Sequence, residues 1–403
     1  MSRNLIASAF ALACVATVSA SSYTLDASDQ YSGSKFFDGF VFKSEPDPTE
    51  GYVQYSTQAD AASTKYGSKL IDTVNGASYM GVDHTNTYTE DQQGRPSVRI
   101  ESKRFYNHGL FILDLAHMPA SICGTWPAFW TYSRVNYPAQ GEIDILENIH
   151  EKTASLNVLH TSPGFSVAGN NISKQQTNNQ TTYSCDDNAT SSPYGTQALK
   201  QGCTGTNSDP NSFGSTLNAA GGGVFAMEWT SDVIRVWNFD PKKVPSDVTA
   251  GKPEPSGWGL PSFTTAQGTG KIDDHFKDHR IVFDTSFCGL YAGQKGFWEE
   301  TSCYKKDPVK FATCKSYVGA NPEAYKDSYW LIKSLKVYQE TGEAPSVPAS
   351  SLSEASSRIP ASSNVPASPN VSASIILSPS LASSTTGSSA NVEPGATSIS
   401  SSR

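Results

Sequence analysis

Few residues of this chain are charged, and no long apolar segment follows its first twenty positions. Asp, Glu, Lys and Arg make up 17% of the 403 residues, and the formal net charge is −8. Nucleic acids and anionic membrane surfaces repel a negatively charged protein, so we expect neither as a partner. A transmembrane helix needs about 20 consecutive apolar residues, and no run of that length occurs. We therefore expect no transmembrane segment.

Helical periodicity, internal repeats and closely spaced cysteine pairs are also missing. Short strand-like runs are separated by clusters of Gly, Asp and Asn. This pattern predicts an all-β protein, a two-sheet antiparallel β-sandwich of the jelly-roll type. No C-x-x-C pair accompanies the cysteines, so a zinc site is not indicated. Nothing in the composition calls for a metal or another cofactor, and we predict none.

The first twenty residues have the pattern of a secretory signal peptide. Arg3 supplies a positive start, residues 5–18 form a short apolar segment, and residues 18–20 are a small-residue cleavage site. Cys14 would be removed with this segment. Six of the seven cysteines remain, and an even number in a secreted chain predicts disulfides. Their pairing stays open, and buried free thiols are the alternative. The six are Cys123, Cys185, Cys203, Cys288, Cys303 and Cys314.

Composition changes abruptly after Thr341. Residues 342–403 contain no aromatic residue and no cysteine, and are dominated by Ser, Ala, Pro and Thr. Such a segment cannot bury a core, which predicts a disordered, O-glycosylated tail. It also lacks the apolar end that a lipid-anchor signal requires. We predict three parts: a signal peptide over 1–20, one folded domain over 21–341 and a tail over 342–403.

Residues 162–222 read as a long polar insertion that contains two of the cysteines. N-glycosylation sequons begin at Asn171, Asn179 and Asn188, and sequons mark exposed surface in a secreted chain. Loops of this length are usually functional or disordered. We expect the insertion to wall one end of a cleft, held by a disulfide.

Residues 141–148, with the sequence GEIDILEN, carry the most informative pattern in the chain. Acidic and apolar residues alternate, which predicts a strand with Glu142 and Asp144 on one face and Ile143 on the other. Glu147 lies an odd number of residues from Glu142 and would point into the core of a regular strand. A β-bulge near Ile145 would add one residue and return Glu147 to the acidic face.

Three like charges on one strand face repel one another, so their grouping needs a reason. A glycosidase supplies one, because it uses a carboxylate and a protonated carboxylic acid on either side of a sugar–sugar bond. Crowding helps to separate the pKa values of such a pair. The alternative interpretation is an edge strand with a solvated acidic face.

Motifs on both sides of this strand favour the glycosidase over the solvated edge strand. The segments GTWPAFW (residues 124–130), GEIDILEN and LNVLHTSPG (residues 156–164) together resemble glycoside hydrolase family 16, and within it the fungal endo-1,3(4)-β-glucanases. Further matches in the same order extend the resemblance over roughly residues 23–341. It implies a jelly roll of the concanavalin A-like kind and a catalytic domain spanning residues 21–341.

The resemblance also implies roles for individual residues. Family members retain anomeric configuration, with Glu142 matching the nucleophile, Glu147 the general acid/base and Asp144 an aspartate that hydrogen-bonds the nucleophile. A structural role is the alternative for Asp144. The predicted substrate-binding residues are Trp126, Trp130, Tyr137 and His160. Core packing is the alternative for the aromatic residues, and relatives often carry Trp where this chain has Tyr137.

Three functions fit this resemblance. The first is a secreted, monomeric endo-β-glucanase that acts on 1,3- and mixed 1,3/1,4-β-D-glucan, located outside the cell or at the cell wall. The second is a family 16 cell-wall transglycosylase; those relatives tend to have the shorter, unbulged E-I-D-x-E form. The third is a non-catalytic β-glucan-binding protein, a class that typically loses the glutamates present here.

Overall fold

The structure of the protein is a computed structural model that describes residues 22–341. The predicted signal peptide, with Cys14, and the predicted tail lie outside the described residues, and both stay predictions. None of the helices within 22–341 is long or apolar enough to cross a bilayer.

Two eight-stranded sheets form the body of the domain. The first, here called the back sheet, has the order β18-β17-β16-β8-β20-β5-β4, with β1 also paired to β20. Its strands are β1 (Tyr23–Tyr31), β4 (Ile71–Val74), β5 (Ala77–Gly81), β8 (Gly109–His117), β16 (Gly223–Trp229), β17 (Ile234–Phe239), β18 (Phe263–Thr264) and β20 (Tyr329–Glu340).

The second, here called the front sheet, has the order β12-β15-β11-β10-β9-β19-β7-β2. Its strands are β2 (Phe40–Lys43), β7 (Arg99–Ser102), β9 (Thr125–Ser133), β10 (Glu142–Glu147), β11 (Leu156–His160), β12 (Asn179–Gln180), β15 (Cys203–Thr206) and β19 (His279–Phe287). Pairing within both sheets is antiparallel, so the predicted two-sheet antiparallel sandwich is confirmed.

Smaller elements complete the described chain. Two short pairs lie outside the large sheets: β3 (Val53–Tyr55) with β6 (Arg95–Ser97), and β13 (Ser191–Ser192) with β14 (Gly195–Thr196). The α-helices are α1 (Gln58–Ala62), α2 (Gly214–Ala220), α3 (Ser246–Thr249), α4 (Ile272–His275), α5 (Gly289–Ala292), α6 (Lys295–Trp298), α7 (Ser302–Lys306) and α8 (Cys314–Ala320). Short 3-10 helices span Gly33–Gly39, Ile172–Lys174, Pro255–Gly257 and Pro322–Tyr325.

The core lies between the two sheets, where alternate residues of each strand meet. Phe225, Met227 and Trp229 of β16 share the core-facing side, as their spacing predicts. Ile143 of β10 and Phe283 of β19 face them from the front sheet. Burying each such side chain contributes about 1.5–3 kcal/mol, which fixes the register of the strands that carry the acidic face.

The strand predicted over residues 110–113 is longer than expected. The apolar run predicts a strand that ends at Asp114, and this boundary is wrong, because β8 continues to His117. Phe111 points into the core while Leu110 belongs to a second apolar cluster on the other side of the sheet. Asp114 forms an exposed ion pair with Lys333, at 3.1 Å between Oδ1 and Nζ, and so does not interrupt the strand.

Two segments predicted as loops contain regular structure. The 162–222 segment supplies β12 and β15, which extend the front sheet, together with β13, β14 and α2. The 240–275 segment, whose many Pro and Gly residues predict a loop, supplies α3, β18 and α4. Strands of two to four residues are too short to leave a periodic pattern, and only pairing with a long neighbour stabilises them. The three sequon asparagines are exposed, as predicted.

All six cysteines of the described chain form disulfides, which confirms that prediction. The bonds are Cys123–Cys303, Cys185–Cys203 and Cys288–Cys314. The first and third attach the helical segment from α5 to α8, whose Trp298 and Val318 form a core of their own. The second lies within the 162–222 segment.

Candidate active site

Strand β10 contains the predicted bulge. From Glu142 to Glu147 it uses six residues, whereas the facing stretches are residues 128–132 of β9 and 156–160 of β11. Both neighbours therefore use one residue fewer. Ile145 is the residue without a partner in β9, and the register shifts at this point. An extra residue bends the strand and re-aims the side chains that follow it.

The bulge separates the acidic and apolar residues of β10 onto two sides. The acidic residues line one cavity on the open face of the front sheet, while the apolar residues enter the core. The first group is Glu142, Asp144 and Glu147, and the second is Ile143, Ile145 and Leu146. The prediction that Glu147 returns to the face of Glu142 is confirmed.

Gly141 fixes where this strand begins. Its φ is +82°, a conformation that residues with a Cβ rarely adopt. A Cβ at this position would lie 2.4 Å from Cδ1 of Phe276 and 2.5 Å from the carbonyl oxygen of His275. Close packing against α4 thus places Glu142 at the first position of the strand.

Glu147 has a single strong donor next to it. The Nε1–H group of Trp126 donates to Oε1 of Glu147 at 2.6 Å. Burial raises the pKa of Glu147, although this hydrogen bond and the charge of His160 oppose the shift. A buried carboxyl with a raised pKa can hold a proton at the pH where a free carboxyl has lost it. Trp126, whose alternative interpretation was core packing, lines the cavity.

Glu142 and Asp144 form a coupled pair. Burial and the charge of Glu147 raise the pKa of Glu142 to about 7, against the opposing charge of His160. For Asp144, burial, the charges of Glu142 and Glu147 and a hydrogen bond shared with Glu142 raise the pKa well above the ordinary value. Asp144 is 2% exposed and is the better-shielded member of the pair. We assign the shared proton to Asp144, which leaves Glu142 as the carboxylate.

His160 adjoins this pair from the neighbouring strand. Its Nε2 atom lies 3.6 Å from Oδ2 of Asp144, and its Nδ1 atom lies 2.6 Å from Oδ1 of Asp187. Tyr137 is 48% exposed, and its hydroxyl donates to Oδ2 of Asp187 at 3.1 Å. Neither residue is among those that line the cavity, and His160 adjoins it through Asp144. Asp187 belongs to the 162–222 segment, which borders the site as expected.

The other half of the cavity contains the predicted Trp130 together with residues that the sequence did not point to. The guanidinium of Arg99 lies 5.0 Å from the ring centroid of Trp130 and 3.8 Å from Oδ2 of Asp284. Trp130 also donates to Oδ2 of Asp284 at 3.1 Å. Burial raises the pKa of Asp284 to about 7, although Arg99 opposes the shift. Tyr55 lines the same cavity.

The site also contains a group of possible metal ligands. Glu142, Asp144 and His160 each place one donor atom within 4.8 Å of the others. Asp187 already binds one ring nitrogen of His160, and Glu142 and Asp144 share a hydrogen bond. These contacts account for the grouping as a hydrogen-bonded network, and we assign no metal to it.

Paired carboxyls with different surroundings, set beside tryptophans on a β-sandwich, define the protein as a carbohydrate-cleaving enzyme of the glycosidase class. The sequence matches the model of the XgeA-like catalytic domain of glycoside hydrolase family 16 over residues 40–338. The chain therefore belongs to glycoside hydrolase family 16.

Curated relatives agree with this assignment. The chain is 41% identical over 342 residues to an endo-1,3(4)-β-glucanase of Arthroderma benhamiae, covering 84% of this chain and 70% of the relative. It is 38% identical over 327 residues to an endo-1,3(4)-β-glucanase of Emericella nidulans, covering 81% and 49% respectively. The chain thus spans about half the length of several relatives that it matches.

Solved structures with the same fold include two with clear sequence similarity. An elongating family 16 β-1,3-glucosyltransferase is 38% identical, with a TM-score of 0.70. Laminarinase 16A of Phanerochaete chrysosporium, solved with two β-glucans in donor and acceptor sites, is 32% identical, also with a TM-score of 0.70. Each alignment covers 79% of this chain and 100% of the other.

Proposed function

We propose that the protein is a secreted, endo-acting β-glucanase that hydrolyses 1,3- and mixed 1,3/1,4-β-D-glucans with retention of configuration. The observation that carries this proposal is the bulge in β10, which brings Glu142, Asp144 and Glu147 to one cavity. The names of the curated relatives support the substrate. The disulfides and the exposed sequon asparagines support secretion, because disulfides persist in oxidising compartments.

In the first step, Glu142 attacks the anomeric carbon while Glu147 gives its proton to the departing glycosidic oxygen. A covalent glucosyl ester on Glu142 results. In the second step, Glu147 takes a proton from water as that water attacks the same carbon, which frees Glu142. Asp144 holds the proton that would otherwise neutralise the nucleophile, and Trp126 orients Glu147.

Transglycosylation is the second candidate, because a glucosyltransferase of 38% identity shares the fold. The same glucosyl ester would pass to a sugar hydroxyl instead of water. The third possibility, glucan binding without turnover, does not explain why both glutamates are present.

Product analysis separates these functions. Purified protein is incubated with laminarin or lichenan, and the products are identified by chromatography and a reducing-end assay. We expect new reducing ends and short oligosaccharides. Longer chains without a net gain of reducing ends would identify a transglycosylase, and binding without any product would identify a lectin. The control is Glu142→Ala, which should bind glucan without cleaving it and should regain turnover with azide, giving the inverted glycosyl azide.

A further inference from the structure

We propose that Asp187 is a positioning residue that keeps His160 protonated beside Asp144 and so maintains the charge arrangement of Asp144 and Glu142. This inference rests on the proposed function, because it assigns Asp187 a part in the same reaction. Asp187 would not touch the substrate, and would act through the imidazole of His160.

The geometry places one imidazole between two carboxyl groups. Oδ1 of Asp187 lies 2.6 Å from Nδ1 of His160, and Oδ2 of Asp144 lies 3.6 Å from Nε2. Asp187 is 5% exposed, so water does not compete for the contact. Oδ2 of Asp144 is buried and has no hydrogen-bond partner among the described residues. A short movement of the ring would let Nε2 donate to it.

An acceptor oxygen on each side favours the charged form of the ring, because the proton of Asp144 is shared with Glu142 and leaves Oδ2 able to accept. Neutral imidazole has one donor nitrogen and one acceptor nitrogen, whereas imidazolium donates from both. Burial opposes the charge, but the hydrogen bond that His160 donates to Asp187 and the charges of Glu142, Asp187 and Glu147 outweigh it and raise the pKa of His160. The titratable groups around the ring are therefore Asp187 from the 162–222 segment and the three acidic residues of β10.

The backbone holds Asp187 in place without substrate. Its N–H donates to the carbonyl of Thr161 at 3.1 Å, and its own carbonyl accepts from the N–H of Lys200 at 2.7 Å. The Cys185–Cys203 disulfide lies two residues away and ties the segment to β15. Because β15 pairs with β11, the strand that ends at His160, carboxylate and imidazole share one rigid support.

The charge has a direct consequence for the nucleophile. The positive charge of His160 lowers the pKa of Glu142 against the effect of burial and so favours the carboxylate that attacks the sugar. Losing the proton of His160 would remove this support. A second ionisation besides that of the acid Glu147 would then limit activity at high pH.

The test replaces Asp187 by Asn, which keeps the shape and an acceptor oxygen but removes the charge. The matched control is Asp186→Asn, because the adjacent Asp186 accepts only from local backbone, with Oδ1 2.9 Å from the N–H of Asn188. We expect Asp187→Asn to lower the pKa of His160, followed by NMR of the imidazole, by about one unit or more. The alkaline limb of kcat/KM on laminarin should move to lower pH, and kcat should fall about tenfold or more while KM stays within about twofold. Asp186→Asn should change none of these.

A double-mutant cycle shows whether Asp187 acts through the ring. On a His160→Gln background, Asp187→Asn should cause little further loss of kcat, because the two residues would act as one unit. If the losses of kcat in the two single variants multiply in the double variant, the proposal is overturned. An unchanged alkaline limb in a folded Asp187→Asn variant would also overturn it.

The unmodified protein provides a measurement that needs no variant. Imidazole ¹⁵N shifts of His160 should show both nitrogens protonated at neutral pH, and a neutral tautomer there would refute the proposal. This measurement does not depend on turnover. Absence of laminarin cleavage by the unmodified protein would instead reject the proposed function.

Discussion

Glu142 and Glu147 lie on one strand, yet different neighbours surround them. The indole N–H of Trp126 donates to Glu147, whereas Glu142 faces Asp144 and the charge of His160. Two carboxyls whose surroundings separate their proton affinities can act as acid and nucleophile in one reaction. At the residue scale, the assignment of roles therefore depends on contacts outside β10.

Removing Glu147, the proposed acid, should affect natural and activated substrates unequally. We predict that Glu147→Ala slows hydrolysis of laminarin by about 100-fold or more. Glycosylation by an aryl glucoside with an acidic leaving group should be largely spared, because that group departs without a proton. Burial raises the pKa of Glu147, so the alkaline limb in the unmodified enzyme should lie above the ordinary carboxyl range of about 4. In the variant the limb should lose the ionisation of Glu147, and only the second ionisation, that of His160, should remain.

Stopped-flow and steady-state rates over a range of pH measure both effects. Equal losses on both substrates, or an unchanged alkaline limb, would show that another carboxyl is the acid.

Glu142, the proposed nucleophile, should also make stability depend on pH. Burial raises the pKa of Glu142 from 4.5 to about 7, so the folded state binds this proton more tightly than the unfolded chain. The stability gained in this way is fully present below the ordinary carboxyl pKa and is lost as pH rises through about 7. Glu142→Gln cannot ionise and should raise the melting temperature by about 2–4 °C at a pH near 8, with little change near pH 4.

Differential scanning calorimetry of Glu142→Gln and of Glu300→Gln, at an exposed position, checks this. If Glu142→Gln is no more stable than the unmodified enzyme at pH 8, the carboxylate is not destabilising there.

Sequence could predict some residues of the site and not others for a physical reason. Glu142, Asp144 and Glu147 lie on one strand, so the pleat and a parity argument bring them together. Arg99 alternates with apolar neighbours, which indicates that it lies on the polar face of a strand. The alternation does not indicate which other strand lies beside it. Asp187 reaches His160 only through the pairing of β15 with β11, between segments that no periodic pattern links.

At the scale of the elements, β10 has one residue more than the stretches of β9 and β11 with which it pairs. Both β9 and β11 oppose residues 142–147 with five residues, so removing one residue leaves both registers intact. We predict that deletion of Leu146 gives a folded protein in which both glutamates still face the cavity without the added twist. Misplacing a catalytic group by about 1 Å costs about 100-fold, and we expect a loss of kcat on laminarin of that order.

The control for this deletion is Leu146→Ala, which loses the same buried side chain and about 2–5 kcal/mol of stability but keeps the bulge. Calorimetry and kcat are compared between the two variants. If deletion and substitution give the same kcat, the bulge is not what positions Glu147.

At the scale of the whole molecule, the two ends of the described chain meet. The N–H of Thr341 donates to the carbonyl of Ser22 at 2.7 Å, and Glu340 at the end of β20 pairs with Tyr23. We predict that a chain ending at Thr341 folds and cleaves laminarin normally, because every strand of the back sheet is then complete. Its melting temperature should lie within about 2 °C of that of the full chain.

A chain ending at Ser334 is the matched control. It lacks Leu335 and Val337, both fully buried in the core, and should show no cooperative transition. If the chain that ends at Thr341 also lacks a cooperative transition, the folded domain extends beyond Thr341.

The bond between Cys123 and Cys303, which are 180 residues apart, changes what a protease can do to this enzyme. One cut near Leu199, which is 63% exposed, would separate the stretch carrying Asp144 from the stretch carrying Asp284. Both stretches would nevertheless remain one covalent molecule, held by this bond and by Cys185–Cys203, which also spans the cut. Nicked enzyme would run as a single band on a gel without reductant and as two bands with it. An apparently intact preparation can therefore contain cleaved molecules that still hold both halves of the cavity.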